Sequence, residues 1–203
     1  LVAAGVDVVR LNFSHGTAQD HIDRAAMVRA AAERAGKAVA IMADLQGPKI
    51  RVGKFEGGKM MLVAGQRFVL DAAHTEPGNN EIVGLDYKEL PRDVKPGDSL
   101  LLNDGLLVLT VEDVRGEQVV TTVKIGGELS NNKGINKQGG GLTAPALTGK
   151  DMEDIKTAMS FQCEYLAVSF PKSATDMEMA RQLANVAGEK WRHKPGMIAK
   201  IER

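Results

Sequence analysis

Val6-Asp7-Val8-Val9-Arg10-Leu11-Asn12, the stretch Ala18 to Ala35, and Ala38-Val39-Ala40-Ile41-Met42-Ala43-Asp44 together decide the fold. The first and last are short apolar runs that end in polar residues, the pattern of buried strands in a parallel sheet. Between them Ile22, Ala25, Ala26, Val28 and Ala32 recur at helical spacing, and Gly36 supplies a C-terminal stop. The unit is strand, helix, strand. Working outward, Tyr165 to Ser169 and Met197 to Glu202 repeat the strand pattern. Thr148 with Asp151 three residues on predicts a capped helix through Ile155, Ala158 and Met159, and a further helix is predicted from Asp176 to Ala187, ending near Gly188. The order βαβ…αβαβ predicts an α/β fold: a parallel sheet with crossover helices, either doubly wound or part of a (β/α)8 TIM barrel.

The middle of the chain breaks this alternation. From Gly47 to Thr143 no helix is predicted, and 16 of the 22 glycines fall there, among β-rich runs at Arg67 to Leu70, Ser99 to Leu102, Leu106 to Val111 and Gln118 to Ile125. We read an inserted all-β domain at residues 47–143, dividing an α/β domain into segments 1–46 and 144–203. An insertion at the C-terminal end of a barrel strand lies above the site face, so a lid with hinges near Gly47-Pro48 and Gly139 to Pro145 is expected; a domain with no part in chemistry is the plainer alternative.

Lys plus Arg and Asp plus Glu stand at 26 each, which provides no net field toward nucleic acid or an anionic membrane. No apolar run approaches the ~20 residues of a membrane helix. A cytoplasmic protein is expected, with no nucleic-acid or membrane partner. The single cysteine, Cys163, lies in an apolar helix-to-strand region and reads as a buried, inert thiol. Neither end looks like a natural terminus: residue 1 is Leu, and the chain stops just past an apolar run.

Candidate chemistry gathers at the strand ends. Arg10, Asn12 and Ser14 alternate, so they share one face at ~6.6 Å intervals if the strand persists. Such a face is either a solvated edge or the site end of a barrel strand. Asp44 is followed across a Gly-Pro turn by Lys49 and Arg51, which suits a cation beside a phosphate but also a capped turn with surface ion pairs. Lys200 and Glu202 again share a face. His15 sits at a strand-to-helix corner, as a site residue or only as a capping group. Asp104, in the turn Asn103-Asp104-Gly105, reads first as a turn-former and only weakly as a site residue. His21, His74 and His193 have no partner at metal-ligand spacing and read as surface residues.

Arg10-Leu-Asn-Phe-Ser-His-Gly16, Asp44-Leu-Gln-Gly-Pro-Lys-Ile-Arg51, Asn131-Asn-Lys-Gly-Ile-Asn136 and Met197-Ile-Ala-Lys-Ile-Glu202 occur in the order and at the intervals of pyruvate kinases. Asn103-Asp104-Gly105-Leu106 and Ala167-Val168-Ser169-Phe170 match as well, so the chain resembles an internal fragment of that family from end to end. The resemblance implies a (β/α)8 barrel with a mobile β lid after the third strand, and transfer of a phosphoryl group from phosphoenolpyruvate to ADP, giving pyruvate and ATP. It implies Mg2+ or Mn2+, and a homotetramer as the intact protein.

By the same resemblance Lys200 and Arg10 contact the transferring phosphoryl group, and Glu202 is one of two carboxylates holding the divalent metal. Asn12, Ser14 and Asp44 correspond to ligands of a monovalent cation; Asn12, His15, Arg51 and Lys133 lie on the nucleotide side. K+-requiring relatives have Asp-Thr and then Gly-Pro-Glu. Here Leu45 and Lys49 stand at those places, which suggests that the Lys49 ammonium substitutes for the ion and that K+ is not required. Two rivals stand beside this reading. A phosphoenolpyruvate-using lyase or mutase shares strand-end Lys, Glu and Asp but should lack the β insertion. A truncated product without turnover is the expectation for the 203 residues alone, since an open half barrel exposes strand edges.

Overall fold

A computed structural model describes residues 1–201. The chain divides into two compact units, one formed by Leu1–Pro48 with the segment from Pro145 onward, the other by Lys49–Ala144.

The first unit is a mixed α/β half-barrel built from β1 (Val8–Asn12), α1 (Ala18–Ala35) and β2 (Ala40–Asp44). The second unit holds β3 (Lys59–Leu62), β4 (Arg67–Asp71), β5 (Ile82–Gly84), α2 (Leu90–Asp93), β6 (Ser99–Leu102), β7 (Leu107–Arg115), β8 (Gln118–Ile125), β9 (Gly127–Ser130) and β10 (Ile135–Lys137). The first unit resumes with α3 (Gly149–Ser160), β11 (Tyr165–Ser169), α4 (Ala174–Gly188) and β12 (Gly196–Lys200). Its four strands are all parallel, in the order β1-β2-β11-β12.

Each long helix starts the same way. Thr17, Thr148 and Ser173 cap α1, α3 and α4 with side chains that accept from the backbone N–H three residues on, while Asp20, Asp151 and Asp176 reach back to the caps. These reciprocal bonds satisfy donors that the first turn would otherwise leave open. All three helices cover one face of the sheet: Ala25, Ile155, Ala158, Ala180 and Ala184 share one apolar core with strand residues Leu11, Ile41, Ala43, Leu166 and Val168. Strand side chains alternate, so Arg10, Asn12, Asp44, Ser169 and Lys200 point to the opposite face. That alternation sets the site.

In the second unit a six-stranded sheet runs β10-β6-β7-β8-β4-β5, with a separate β3-β9 pair. Leu107, Leu109 and Val111 alternate into its core with Phe68, Leu70 and Leu100. One short helix, α2, interrupts the segment where none was expected; Pro91 stands in its first turn, where its missing N–H costs nothing.

Three histidines depart from the expectation that they lie on the surface. His21 is 1% exposed and stacks on Phe13, ring centroids 4.0 Å apart, so burial lowers its pKa and keeps it neutral. His193 Nε2 lies 2.7 Å from the Cys163 carbonyl oxygen, and His74 is half-buried. Cys163 is fully buried, which pushes its thiol up to about 12 and leaves it unreactive.

At the opposite end of the sheet from the polar cluster, Arg29 Nη1 donates to Glu164 Oε1 at 2.7 Å, and Glu164 Oε2 accepts from Ile41 N at 2.6 Å. Burial alone would raise the Glu164 carboxyl, but the bonds from Arg29 and Ile41 outweigh it and the group titrates below its ordinary range. Its stabilisation is therefore present above the unfolded value of about 4.3 and fades as pH falls through the folded value. Glu164→Gln should lower the Tm of the full-length protein at pH 7 by a few degrees, corresponding to about 1–2 kcal/mol, and by less at pH 3.5. An equal shift at both pH values would exclude the carboxylate as the cause.

Candidate active site

The C-terminal ends of the four parallel strands bring together one carboxylate and two cations. Register pairs Asn12 with Asp44 across β1 and β2, Ala167 with Asp44 across β11 and β2, and Ser169 with Lys200 across β11 and β12. Asp44, 2% exposed, is the centre. Arg10 binds its Oδ2 through Nε at 2.6 Å and Nη2 at 2.5 Å. From the other strand, Lys200 Nζ stands 3.1 Å from Asp44 Oδ1 and 3.4 Å from Oδ2, and donates to Ser169 Oγ at 2.9 Å. The 3.1 Å approach is an ion pair off the hydrogen-bonding direction, because Asp44 Oδ1 has no hydrogen-bond partner among the described residues.

Two cations share one carboxylate, so these three side chains carry a net charge of +1. Arg10 is half-exposed and Lys200 partly so, which puts both cations within reach of solvent. A phosphoryl group suits such a cluster: charged donors aimed at its oxygens are worth more than neutral ones, and the guanidinium can engage two oxygens at once.

The loop after β2 is held from several elements. Phe13 N donates to the Asp44 carbonyl at 2.9 Å, Leu45 N to Ala167 O at 3.0 Å, and Gly47 N to Asp151 Oδ1 at 3.0 Å. Asp151 is fully buried, so one carboxylate both caps α3 and fastens Gly47. The sequence signalled the cap and not the second bond. Asn12 Oδ1 accepts from Ser14 N at 3.0 Å, closing the turn after β1, and His15 is exposed at that corner.

A family model described as pyruvate kinase, barrel domain, matches residues 1–203. The chain belongs to the pyruvate kinase family. It is 55% identical over 204 residues to a pyruvate kinase of Haemophilus influenzae and 53% identical to pyruvate kinase II of Salmonella typhimurium. A pyruvate kinase of Mycobacterium tuberculosis is 41% identical over 203 residues. In each case the match takes in 100% of this chain and 42% of the relative, so the chain spans less than half the length of these pyruvate kinases.

Among the residues that the resemblance singles out, Arg10, Asn12, Asp44 and Lys200 gather at one end of one sheet, with Ser14 and His15 in the turn that follows β1. Glu202 lies outside the described residues. Arg51 and Lys133 both belong to the second unit, where their neighbouring segments pair: Arg51 bridges Gly134 in antiparallel fashion, and Val52 N donates to Lys133 O at 2.9 Å. Arg51 N also donates to Asp86 Oδ1 at 2.7 Å; burial raises the Asp86 carboxyl above its ordinary value despite that bond. Lys49 is exposed and is the first residue of the second unit. Asp104 is exposed in its turn with φ 57°. Among the described residues no group of three or more His, Cys, Asp or Glu side chains gathers at metal-binding distances.

Proposed function

We propose that the full-length protein transfers a phosphoryl group from phosphoenolpyruvate to ADP, giving pyruvate and ATP. The observation that carries this reading is the Asp44 carboxylate clamped between Arg10 and Lys200, at one end of a parallel half-barrel, in a chain matched throughout by the pyruvate kinase family. On this reading the half-barrel is part of a (β/α)8 barrel interrupted by an inserted β domain, residues 47–143.

Phosphoryl transfer needs donor and acceptor held in line and the charge on the moving group neutralised. Lys200 and Arg10 supply that charge from adjacent sides of Asp44, and the Lys200 ammonium also stabilises the enolate left when phosphoenolpyruvate gives up the group. Asp44 holds both cations in place before substrate arrives, so little reorganisation is needed in the transition state. Arg51 and Lys133, on segments that pair with each other, serve the nucleotide phosphates, together with Asn12 and His15.

Glu202 would hold Mg2+, which would supply positive charge to neutralise what develops on the transferring group. For a monovalent cation the donors Asn12, Ser14 and Asp44 are all oxygens, and the buried Asp44 Oδ1, lacking a hydrogen bond, is the atom such an ion would meet. In this protein Lys49 replaces that ion with a tethered ammonium, and K+ is dispensable. The cellular setting is cytoplasmic, and the assembly a homotetramer. No helix among the described residues is long and apolar enough to cross a membrane.

The test couples ADP-dependent pyruvate formation by the full-length protein to a dehydrogenase, with K+ replaced by a bulky tetraalkylammonium salt at constant ionic strength. Turnover retained without K+, and made K+-responsive by Lys49→Glu, is the expected result. Absence of turnover in both salts overturns the activity; a loss of more than ~10-fold without K+ overturns only the role of Lys49, leaving it an exposed side chain of ordinary pairing worth, ~0–1 kcal/mol.

A further inference from the structure

Three parts of the first unit meet at the hydroxyl of Ser169, the last residue of β11. It accepts from Lys200 Nζ at 2.9 Å and donates its own proton to the Leu45 carbonyl at 2.7 Å. A hydroxyl has one proton. With that proton committed to Leu45, the oxygen lone pair is left to face the ammonium. Gly47 packs onto the same residue: a Cβ placed on it would lie 2.8 Å from Ser169 Cβ and 3.0 Å from Ser169 O, and its φ of +68° favours glycine in any case. Ser169 is 2% exposed, and Phe170 directly after it holds φ 54°, a conformation that a bulky residue keeps only where its surroundings impose it. A serine that merely ended a strand would need none of these features.

Resting on the phosphoryl-transfer reading above, we propose that Ser169 is a positioning residue, whose hydroxyl fixes the Lys200 ammonium and ties it to the Leu45–Gly47 segment leading out of β2. The physical need is plain. A lysine ammonium rides on four rotatable bonds, so each acceptor it meets narrows the positions it samples. The Ser169 hydroxyl at 2.9 Å is one such acceptor, and a misplacement of about 1 Å at a reacting centre costs on the order of 100-fold in rate. Because the same hydroxyl holds the Leu45 carbonyl, displacement of the Leu45–Gly47 segment is felt at Lys200.

In the full-length protein, Ser169→Ala should lower kcat about 10- to 100-fold while the KM for ADP changes by less than about 3-fold. Ser169→Cys keeps the volume but offers a weak acceptor, and should fall with it; should the alanine variant not fold, the cysteine variant carries the same test. In a Lys200→Met background Ser169→Ala should cost less than about 2-fold more, since nothing is left to position. A merely structural serine would lower Tm and act equally in both backgrounds. Retention of more than half of kcat by both variants, or an equal loss with and without Lys200, overturns the assignment. Failure of the phosphoryl-transfer reading looks different: the unmodified protein would show no turnover, or Lys200→Met alone would leave it unchanged.

Discussion

Lys200→Met in the full-length protein should lower kcat at least ~100-fold and leave nucleotide affinity nearly unchanged. The side chains are similar in length and both flexible, so the loss isolates the charge. Lys200 stands beside Asp44 and Ser169 on the strand-end face, where on the proposed reading a phosphoryl group would meet its ammonium, while Arg51 and Lys133, two of the residues proposed for the nucleotide, belong to the other compact unit. An interaction used only in the transition state appears in kcat and not in ground-state binding. Steady-state kinetics with nucleotide affinity measured by equilibrium titration would decide it. A variant retaining more than about a tenth of kcat removes Lys200 from the reaction.

Asp44→Ala should be as damaging to turnover, by a different route. Its carboxylate is 2% exposed and pairs with two cations, so its removal takes away the counter-charge that Arg10 and Lys200 share. Breaking a buried pair costs ~3–5 kcal/mol, and the half-exposed Arg10 places this case toward the lower end. We expect kcat to fall at least ~100-fold, together with a Tm several degrees lower. Asp44→Asn keeps the shape and removes only the charge, and should retain most of the stability but not the rate. If Asp44→Asn keeps more than about a third of kcat, the carboxylate is a spacer and the two cations are organised by other groups.

Parts of this architecture were legible because their signals are local. Thr148 and Asp151 announced the start of α3 from three residues' separation, and the stretch Ala18 to Ala35 matches α1 end to end. Ser173 and Asp176 carry the same capping signal, yet the fourth helix was placed two residues late, because the apolar period alone does not show where a helix begins. Strands β3 and β9 were missed. Lys59–Leu62 is only four residues long and finds its partner in Gly127–Ser130, so its pairing is written in no neighbouring residue. The histidines were misread for a related reason. His21 is one polar residue on a helix, and only the approach of Phe13 shows that it is core.

What the sequence determined by itself was the alternation of strand and helix, the placing of Arg10, Asn12, Asp44 and Lys200 at strand ends, and the motifs that mark the pyruvate kinase family. Periodicity, caps and residue spacing are properties of a chain a few residues at a time, and they survive without any knowledge of what lies opposite. Only the tertiary structure decided that Arg10 and Lys200 close on the same Asp44 from strands on either side, that Asp151 fastens Gly47 as well as capping its helix, and that the Ser169 hydroxyl stands between Leu45 and Lys200. Those contacts join residues 31 to 156 positions apart. They exist because parallel strands joined by helices set side chains from distant segments at one level of one sheet, where burial makes an unpaired charge or hydroxyl costly and so selects which groups must meet.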